Sequence, residues 1–457
     1  MKLEIHPDII LKYDVAGPRY TSYPPVPNFD SSFTQKDYTN YLVSDQVSKT
    51  ISLYFHFPFC KTLCYYCGCN TVITNNYEII QRYIDYLKKE IRLILKYLPK
   101  DIQVGQLHWG GGTPNFLNNS QIKEIYLFIK NHFSFKENAE ISIELDPRTT
   151  QKEQLDLIKE LGFNRISFGV QDLNDEVQKA VNRIQPVDLI ESIYYHAKSL
   201  NFHSINMDFI YGLPYQNTHS YQFNLKKILE WKPDRLAFFS YAHVPWIKKH
   251  QTLINTETLP NSLEKIQIFK NIVETLTDNH YVYIGLDHFA KPEDELSKAL
   301  HEKKLHRNFQ GYTVLKDMDV IAFGITGISQ YSKLYARNKK GLKEYREDID
   351  HQNIPLHDGY KMTYDDLIRK EVINQIMCNL YLDFKYIEEK FNIDFHEYFD
   401  QELKNLKSME EDELISIDNK SIKIEPNGRP LIRNVAMAFD IFLRKNQSHR
   451  PVYSRTI

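Results

Sequence analysis

Short apolar runs alternate with longer amphipathic stretches along the chain from residue 51 onward. The runs are rich in β-branched and aromatic residues and predict six strands, Ile51–Phe57, Val104–Trp109, Glu140–Asp146, Asn164–Val170, Ser204–Ile210 and Arg235–Tyr241. The stretches between them carry apolar residues at helical spacing, and Leu155–Leu161 ends at Gly162, a residue typical of helix ends. This alternation predicts a parallel sheet with right-handed crossovers, in the form of an open, partial (β/α) barrel.

Polar or glycine-rich residues follow each of the six predicted strands. In chain order they are a cysteine-rich loop at 60–69, Gly110–Pro114, Glu144 with Asp146, Gln171 with Asp172, Asn206 with Asp208, and Tyr241–His243. In a (β/α) barrel the carboxyl ends of the strands meet at one rim, where the chemistry of such enzymes takes place. We therefore expect a functional site at this rim, although each group taken alone is also compatible with an ordinary strand end.

Two regions outside this alternation differ in composition. Residues 1–50 contain the proline- and aromatic-rich stretch Gly17–Pro25, which predicts an irregular arm lying on another surface as a lid or strap. From about residue 340 the chain shifts to helix formers. The elements predicted there are a helix at Asp365–Phe384, a hairpin at Leu414–Ile417 and Ser421–Ile424, and a helix at Leu431–Arg444. The predicted domains are the arm (1–50), a catalytic domain (51–340) and a small, mostly helical, winged-helix-like domain (341–457).

Three segments before residue 340 have weaker patterns. Ile284–Ala290 is predicted to contain a further strand end, whereas His306–Tyr312 and Gly324–Ser329 are predicted to be glycine-punctuated loops.

Composition excludes several classes of function. The 457 residues are 42% hydrophobic and 25% charged, with a net charge of −2, so no overall basic field would recruit nucleic acid. The first residues lack the apolar core of a signal peptide, and no apolar run approaches the roughly 20 residues of a membrane span. Four of the five cysteines lie in one short segment, which argues against a disulfide framework. A cytoplasmic protein is therefore expected.

The cysteine-rich loop contains the spacing C-x3-C-x2-C at Cys60, Cys64 and Cys67, with Cys69 two residues later. Clustered thiolates suit a soft metal centre. Three cysteines would hold a [4Fe–4S] cluster and leave one iron open to bind another molecule. The alternatives are a structural zinc knuckle and a chance cluster. Zinc sites prefer two C-x2-C pairs, and the remaining cysteine, Cys378, is predicted to be a core residue.

This loop after a strand, followed by the sequence Gly-Gly-Gly-Thr-Pro, resembles the radical S-adenosylmethionine (SAM) superfamily. More narrowly, the chain resembles the oxygen-independent coproporphyrinogen III dehydrogenases (oxidases) of haem biosynthesis. The matching stretches are Gly17–Pro24, Tyr54–Asn70, His108–Pro114, Gln178–Arg183, Asp208–Pro214, Tyr241–Pro245, Gly285–Ala290, Leu305–Thr313 and Asn427–Asp440.

The resemblance implies roles for individual residues. Cys60, Cys64 and Cys67 would bind the cluster, and SAM would bind its fourth iron. The residues implied for the first SAM are Tyr54, Tyr66, Gly111, Glu144 and Ile328; those implied for a second SAM are Gly112, Thr113, Gln171, Arg183, Asp208 and Ala242. The implied catalytic set is Cys69, Tyr54 and Glu144. For Cys69 the alternative is a small buried hydrophobic residue, and Tyr66 stands where the family often has Phe.

The implied reaction is the oxidative decarboxylation of two propionate side chains of coproporphyrinogen III to vinyl groups, which gives protoporphyrinogen IX. A 5′-deoxyadenosyl radical from SAM would remove the hydrogen atom, and an unidentified electron donor and acceptor would complete the cycle. A monomer is expected, and Arg19 and Arg307 are predicted to bind substrate carboxylates. The alternatives are a haem-binding or haem-trafficking relative without this activity, an electron-transfer iron–sulfur protein, and a radical SAM enzyme with another substrate.

Overall fold

The computed structural model describes residues 1–316, 318–445 and 453–457. Within them, a curved mixed sheet of 12 strands forms the centre of the molecule. Seven neighbouring strands of this sheet are parallel: β1 (Thr50–Phe57), β2 (Gln103–Gly111), β3 (Ser134–Leu145), β4 (Arg165–Gln171), β5 (Ser204–Tyr211), β6 (Arg235–Ser240) and β7 (Asp319–Phe323). Their order across the sheet is β7-β1-β2-β3-β4-β5-β6. The six strands predicted from the sequence are therefore confirmed, and β3 begins earlier than predicted.

The helices that connect these strands bury one apolar face each. They are α1 (Tyr77–Leu95), α2 (Asn119–His132), α3 (Lys152–Glu160), α4 (Asp175–Ala180), α5 (Val187–Ser199), α6 (Thr218–Trp231) and α7 (Ser262–Asp278). Side-chain caps begin most of them, for example a reciprocal pair between Asn118 and Gln121 at α2. The predicted stop of α3 before Gly162 is confirmed.

The two faces of the barrel strands differ in polarity. On β1, the apolar residues Ile51, Leu53 and Phe55 lie on one face, and the polar Ser52 and Tyr54 alternate with them on the other. The same alternation on the neighbouring strands lines the barrel interior with polar side chains, namely Gln106, His108, Ser142, Glu144, Ser167, Asn206 and Asp208. The interior of the barrel is therefore a polar cavity.

Further strands extend the sheet at both ends. At one end His288–Ala290 pairs antiparallel with β6 and with Val282–Gly285. At the other, Ile328–Gln330, Leu334–Asn338 and Leu356–Lys361 continue antiparallel from β7. The prediction of a loop at 306–312 is wrong, because His306–Asn308 and Gly311–Thr313 form a hairpin. Both of its strands are three residues long and mostly polar, so neither shows an alternating pattern. The other predicted loop, at 324–329, is a loop only as far as Gly327, because Ile328 and Ser329 belong to the strand Ile328–Gln330.

The amino-terminal arm is more regular than predicted. It contains helices at Pro7–Tyr13 and Gln35–Leu42, capped by His6 and Thr34. Between them the proline-rich stretch runs over the carboxyl-terminal region, where the Tyr20 hydroxyl donates to Asp440 at 2.9 Å.

The carboxyl-terminal region combines helices with a small sheet. Its helices are Leu342–Asp350, Tyr364–Asn379, Phe384–Phe391, Phe395–Tyr398, Asp400–Glu411, Ile432–Met437 and Ile441–Lys445. The predicted hairpin is confirmed at Ile415–Ile417 and Ser421–Ile424, and Tyr381–Asp383 pairs with it. The predicted helix at Leu431–Arg444 is wrong, because it breaks before Ile441, where Asp440 accepts the Phe442 N–H. A short helix at Glu295–His301 lies earlier, outside this region.

The predicted domain boundary after residue 340 stays a prediction; the last strand of the main sheet lies beyond it. None of the helices among the described residues has the length and apolarity to cross a membrane.

Candidate active site

The cysteine-rich loop is held at the rim of the barrel by backbone hydrogen bonds. Its two ends, Phe59–Cys60 and Val72–Ile73, pair as short parallel strands. On one side, the Thr113 N–H donates to the Phe59 carbonyl at 2.9 Å. The four cysteines of the loop are free thiols that line one cavity of about 170 Å³, which we call the cysteine cavity. Cys64 is buried, Cys60 and Cys67 are half-buried, and Cys69 is exposed.

The segment 181–183, which follows α4, is hydrogen-bonded to the other side of this loop. The Tyr65 N–H donates to the Val181 carbonyl at 3.0 Å, and the Asn182 amide donates to the Leu63 carbonyl at 2.8 Å. The next residue, Arg183, places Nη1 3.6 Å from Cys64 Sγ. The segment therefore fixes both the backbone and the charge environment of the loop.

Two guanidinium groups meet at Cys64. Arg148 Nη2 also lies 3.6 Å from its sulfur, and Asp146 bonds to Arg148 at 2.7 Å and to Arg183 at 3.1 Å. Burial would raise the pKa of Asp146, but the two arginines outweigh it and hold the pKa at about 2. Two cationic groups therefore lie beside the one buried sulfur of the loop.

The remaining thiols have contrasting environments. Cys69 donates a hydrogen bond to Cys67, and this bond lowers the pKa of Cys67 to about 6 and raises that of Cys69. Burial raises the pKa of Cys60 to about 12, although its sulfur lies 3.3 Å from the Thr113 hydroxyl. Of Cys60, Cys67 and Cys69, Cys67 is thus the thiol whose proton is most easily released.

Gly112, at the end of β2, makes the close approach of strand and loop possible. Its N–H donates to the Phe57 carbonyl at 2.8 Å, and a Cβ at this position would lie 2.7 Å from both the Pro58 carbonyl carbon and its oxygen. Backbone atoms cannot rotate away, so only glycine fits. The glycine run therefore serves the packing of the cysteine loop, and its use in ligand binding stays a prediction.

Glu144 connects the cysteine cavity to the barrel interior. Its carboxylate accepts the Gly111 N–H at 3.2 Å and lies 3.2 Å from His108 Nε2. Burial would raise the pKa of Glu144, but the bond and charge of His108 outweigh it, so the net pKa is lowered. Tyr54 stacks on His108 with ring centroids 5.9 Å apart, and its hydroxyl lies 3.2 Å from His56 Nδ1.

Asp208, on β5, lines both the cysteine cavity and the barrel interior, as Glu144 does. Its carboxylate accepts the Ser167 hydroxyl at 2.9 Å and the Asn206 amide at 2.7 Å. Burial, with the negative charge of Glu144, raises the pKa of Asp208 to about 6. The predicted placement of Asn206 and Asp208 on one strand face is confirmed.

Most of the residues implied by the resemblance surround the cysteine cavity. They are Cys60, Cys64, Tyr66, Cys67, Cys69, Gly111, Gly112, Thr113, Glu144, Gln171, Arg183 and Asp208. Three others are not among the residues that line this cavity. Tyr54 is within the barrel, the Ala242 carbonyl accepts from Gln251 at 3.2 Å, and Ile328 starts an antiparallel strand beyond β7. The roles of all these residues in cofactor binding remain predictions.

Several site residues were not identified from the sequence. Arg148 follows β3 in the sequence Asp-Pro-Arg, and its position after a strand was the available signal. Lys248, His250 and Gln251 come from a segment remote in sequence and donate to the carbonyls of Cys69, Cys67 and Tyr66 at 2.9, 2.8 and 3.1 Å. No local pattern in the sequence indicates these contacts.

Two more cavities continue from the cysteine cavity. The barrel cavity, of about 180 Å³, shares Glu144, Ser167 and Asp208 with it. The junction cavity, of about 420 Å³, lies between the arm, the hairpin at 306–313 and the helix Tyr364–Asn379, and it shares Asn308 and Thr313 with the barrel cavity. The three cavities therefore form a series.

The two arginines predicted to bind carboxylates lie close together but differ. Arg307 lines the junction cavity, donates to the Arg19 carbonyl at 2.5 Å, and has a buried Nε with no hydrogen-bond partner among the described residues. Arg19 donates to the Ser240 carbonyl at 2.8 Å and faces Asp287 at 3.8 Å, outside that cavity.

The donor set fits an iron–sulfur cluster. Within residues 1–316, 318–445 and 453–457, no three His, Cys, Asp or Glu side chains converge closely enough to bind a single ion. A cubane does not need such convergence, because its cysteines bind different irons. Cys60, Cys64 and Cys67 on one cavity wall, with two guanidiniums at the buried sulfur, are suited to a cluster with three protein ligands.

Comparison with known proteins identifies the family. The Radical SAM superfamily model matches residues 54–225, and the HemN C-terminal domain model matches residues 362–431. The oxygen-independent coproporphyrinogen III oxidase of Synechocystis sp. is 42% identical over 460 residues, which cover 100% of this chain and 98% of that protein. The oxidase of Escherichia coli is 42% identical over 449 residues, covering 98% of each chain.

A solved structure gives the same result. The coproporphyrinogen III oxidase of Escherichia coli, described as a radical SAM enzyme, superposes with a TM-score of 0.92 at 40% identity and covers 97% of this chain and 100% of its own. The fold predicted from the sequence, an open (β/α) barrel of radical SAM type with an arm and a mostly helical carboxyl-terminal region, is confirmed. The chain belongs to the oxygen-independent coproporphyrinogen III oxidase family of the radical SAM superfamily.

Proposed function

We propose that this protein is an oxygen-independent coproporphyrinogen III oxidase, which converts two propionate side chains of coproporphyrinogen III to vinyl groups and so forms protoporphyrinogen IX. The observation that carries the proposal is the cysteine cavity, in which three proposed cysteine ligands, two arginines and Glu144 meet at the rim of the barrel. The superposition on the Escherichia coli enzyme covers 97% of this chain and 100% of that enzyme.

The cofactors are a [4Fe–4S] cluster and SAM. Cys60, Cys64 and Cys67 would hold the cluster. When bound and reduced, the pair supplies the chemistry that the amino acids lack, namely reductive cleavage of SAM to methionine and a 5′-deoxyadenosyl radical that can remove a hydrogen atom. Two SAM molecules are proposed, the first held by Tyr54, Tyr66, Gly111, Glu144 and Ile328 and the second by Gly112, Thr113, Gln171, Arg183, Asp208 and Ala242.

The residues of the cavity position these groups and control charge. Glu144, kept ionised by His108, offers a carboxylate beside the cluster loop, where an amino group or hydroxyl of SAM could donate to it. Arg148 and Arg183, both 3.6 Å from Cys64 Sγ, would offset the negative charge of the thiolates. Cys69 would take part in catalysis without binding iron.

For each propionate the atoms and electrons balance as follows. The bound cofactors would use one external electron for each SAM consumed, and one hydrogen atom would leave the propionate β-carbon. The bond to the carboxylate then breaks, carbon dioxide leaves, a C=C bond forms, and one electron passes to an acceptor. The electron donor and acceptor are unidentified. The proposed location is the cytoplasm, whose reducing conditions would keep the thiols free, and the proposed oligomeric state is a monomer.

The junction cavity is the proposed entrance for the substrate. Among the residues that the structure describes, the cations Arg307, Lys316, Lys333, Lys370 and Lys390 line it with the acids Asp319 and Glu371. Its aromatic rings include Tyr20, Tyr331 and Tyr335. An excess of cations beside aromatic faces suits a large tetrapyrrole with four carboxylates. Arg307 is retained as a carboxylate ligand. Arg19 is assigned to holding the arm, because Ser240 and Asp287 already bind its guanidinium.

The test is anaerobic incubation of the cluster-reconstituted protein with SAM, dithionite and coproporphyrinogen III. We expect vinyl-containing product, methionine and 5′-deoxyadenosine. Stoichiometric haem binding without decarboxylation would instead identify a haem-trafficking protein.

Cysteine variants test the ligand assignment by iron content alone. Cys60→Ser, Cys64→Ser and Cys67→Ser should each lose most cluster iron, and Cys69→Ser should retain it while losing activity. Cys378→Ser is the matched control, since its buried thiol donates to Asn374 at 3.2 Å, far from this loop in sequence. Full iron retention in all three ligand variants would contradict the assignment.

A further inference from the structure

The segment 241–256 covers the outer side of the cysteine loop. Three of its side chains donate to backbone carbonyls of the loop. Gln251 donates to Tyr66, His250 to Cys67 and Lys248 to Cys69. This segment and residues 57–76, which contain the cysteine-rich loop, form one surface, which we call the cysteine-loop face.

This face exposes large apolar side chains. Trp246, Ile247 and Leu253 are 54%, 55% and 60% exposed, within eight residues of sequence. The segment beneath them is anchored, because Ile254 is buried in a separate apolar cluster with Val177, Leu213 and Tyr241, against which Tyr65 and Tyr66 also pack. The apolar side chains therefore project from a supported surface, and exposed patches of this kind mark interaction sites.

The same face is entirely free of acidic residues in its sequence. Neither 57–76 nor 241–256 contains an Asp or Glu, whereas the whole chain has 59 of them in 457 residues. The two segments carry Lys61, Lys248 and Lys249, and acidic residues resume only at Glu257. Asp146, in the cavity below, is paired with Arg148 and Arg183 and so adds no free negative charge. A basic, apolar face on a nearly neutral chain fits an acidic partner.

The chemistry of the proposed function requires such a partner at this place. Every SAM cleaved consumes one electron from outside the protein. The electron must reach the proposed cluster ligands. The segment 241–256 lies directly against this loop, because Gln251, His250 and Lys248 donate to its backbone carbonyls, including that of Cys67.

We propose that Trp246, Ile247, Leu253 and Lys249 dock a small acidic protein that carries a one-electron redox centre. This inference rests on the proposed function. On docking, the carrier loses one electron and the cluster gains one, and no atoms are transferred. The aromatic and aliphatic side chains would supply the contact area, and the lysines would orient the carrier.

The test compares two double variants of the reconstituted holoenzyme. Trp246→Ala/Lys249→Glu removes an apolar anchor and reverses a charge on the face. Neither residue belongs to the proposed cofactor or substrate sites, and Lys248 and His250 are left intact because they hold the loop. Leu127→Ala/Lys123→Glu makes matching changes to an exposed apolar and a basic residue on the outer surface of α2.

The probes are flavodoxin, a small acidic flavoprotein, and a small acidic [2Fe–2S] ferredoxin. Three quantities are measured: the Kd by calorimetry at low salt, the rate at which the reduced carrier bleaches the cluster absorbance, and the corresponding rate with dithionite. We expect the face variant to raise the Kd at least tenfold and to slow carrier-driven reduction, with iron content and the dithionite rate unchanged. Added salt should weaken binding to the wild type.

The outcomes separate the two proposals. Absence of saturable binding by both carriers, or an equal loss in the α2 variant, overturns the docking proposal. If the dithionite-reduced wild type forms neither 5′-deoxyadenosine nor vinyl product, the proposed function fails, whatever the binding data show.

Discussion

The cysteine cavity and the junction cavity are built in opposite ways. The first is made mainly of short segments that directly follow barrel strands, such as Cys60–Cys69, Gly110–Thr113 and Glu144–Arg148, and backbone hydrogen bonds hold them. The second is made largely of side chains from the arm, the 306–313 hairpin and the carboxyl-terminal helices, and the arm is far from the other two in sequence. A site assembled from strand ends is fixed by the sheet, whereas a site assembled from separate regions depends on their mutual packing.

The largest effect is expected from Gly112→Ala, which tests the rigidity of the cysteine cavity. The new methyl group would lie 2.7 Å from the Pro58 backbone, so the cysteine loop must shift. We expect activity to fall at least about 100-fold, since small displacements of reacting groups cost roughly that factor, and cluster iron to fall with it.

Gly68→Ala is the matched control for this change. A Cβ there has no heavy atom within 4 Å, and the position lies between two of the cysteines. Iron content and turnover are measured for both variants. Equal retention of iron in the two would mean that the loop tolerates displacement and that the contrast between the cavities is overstated.

The sequence predicts the first region better than the second for a physical reason. The spacing of Cys60, Cys64 and Cys67 and the strand–glycine junction at Gly112 are local, and the period of two in a strand fixes which residues face the barrel. These features identified the six strands and most residues around the cysteine cavity. Arg148 and His250 were not identified, because their positions depend on three-dimensional contacts.

The same limit explains the errors in the outer regions. The hairpin at 306–313 has no alternation, and the break before Ile441 depends on Tyr20 and Asp440 meeting across the chain. The set of cations around the junction cavity likewise depends on packing between the arm and the carboxyl-terminal region. These distant stretches were connected by the resemblance to a known family and not by a pattern of residues.

The pH dependence of stability tests how α1 is held against the segments that follow β7. Glu90 on α1 is buried and accepts the Gly324 N–H at 2.8 Å, the Asn338 amide at 2.6 Å and the Tyr345 hydroxyl at 2.6 Å. Burial raises its pKa to about 7. The folded state therefore keeps a proton that the unfolded state releases near pH 4.5, so its stabilising contribution is complete below pH 4.5 and is lost as pH rises to about 7.

We expect the free energy of unfolding to lose about 3 kcal/mol over this interval through Glu90. The Glu90→Gln variant, neutral throughout, should lack this slope, and Glu78→Gln, exposed on the same helix, should keep it. Denaturant unfolding at pH 5 and pH 7 measures both. Parallel pH profiles for wild type and Glu90→Gln would show that Glu90 is ionised in the folded protein.

A smaller effect is expected where the arm meets the carboxyl-terminal region. The buried Arg433 donates to the carbonyls of Gly17 and Pro18. Arg433→Met leaves both acceptors without their donor and should lower the free energy of unfolding by about 2–3 kcal/mol. Limited proteolysis should then cut within residues 1–50 faster, while iron content stays normal. Arg346→Met, which loses one bond within its own helix, is the control. Loss of iron in Arg433→Met would mean that the two regions are not independent.

The smallest effect concerns the substrate at the junction cavity. Lys370 lines this cavity, half-buried, with its ammonium 5.1 Å from the Tyr335 ring centroid. If it attracts a substrate carboxylate, Lys370→Gln should raise the KM for coproporphyrinogen III about 5–10-fold, equivalent to one partly screened charge contact. The kcat should change little, because the side chain is remote in the series of cavities from the cysteines. Lys423→Gln removes the same charge from the carboxyl-terminal hairpin, where Lys423 pairs with Glu425 at 3.2 Å, and should leave the KM unchanged. A fall in kcat at constant KM for Lys370→Gln would instead place this residue in the chemistry and remove the junction cavity as the entrance.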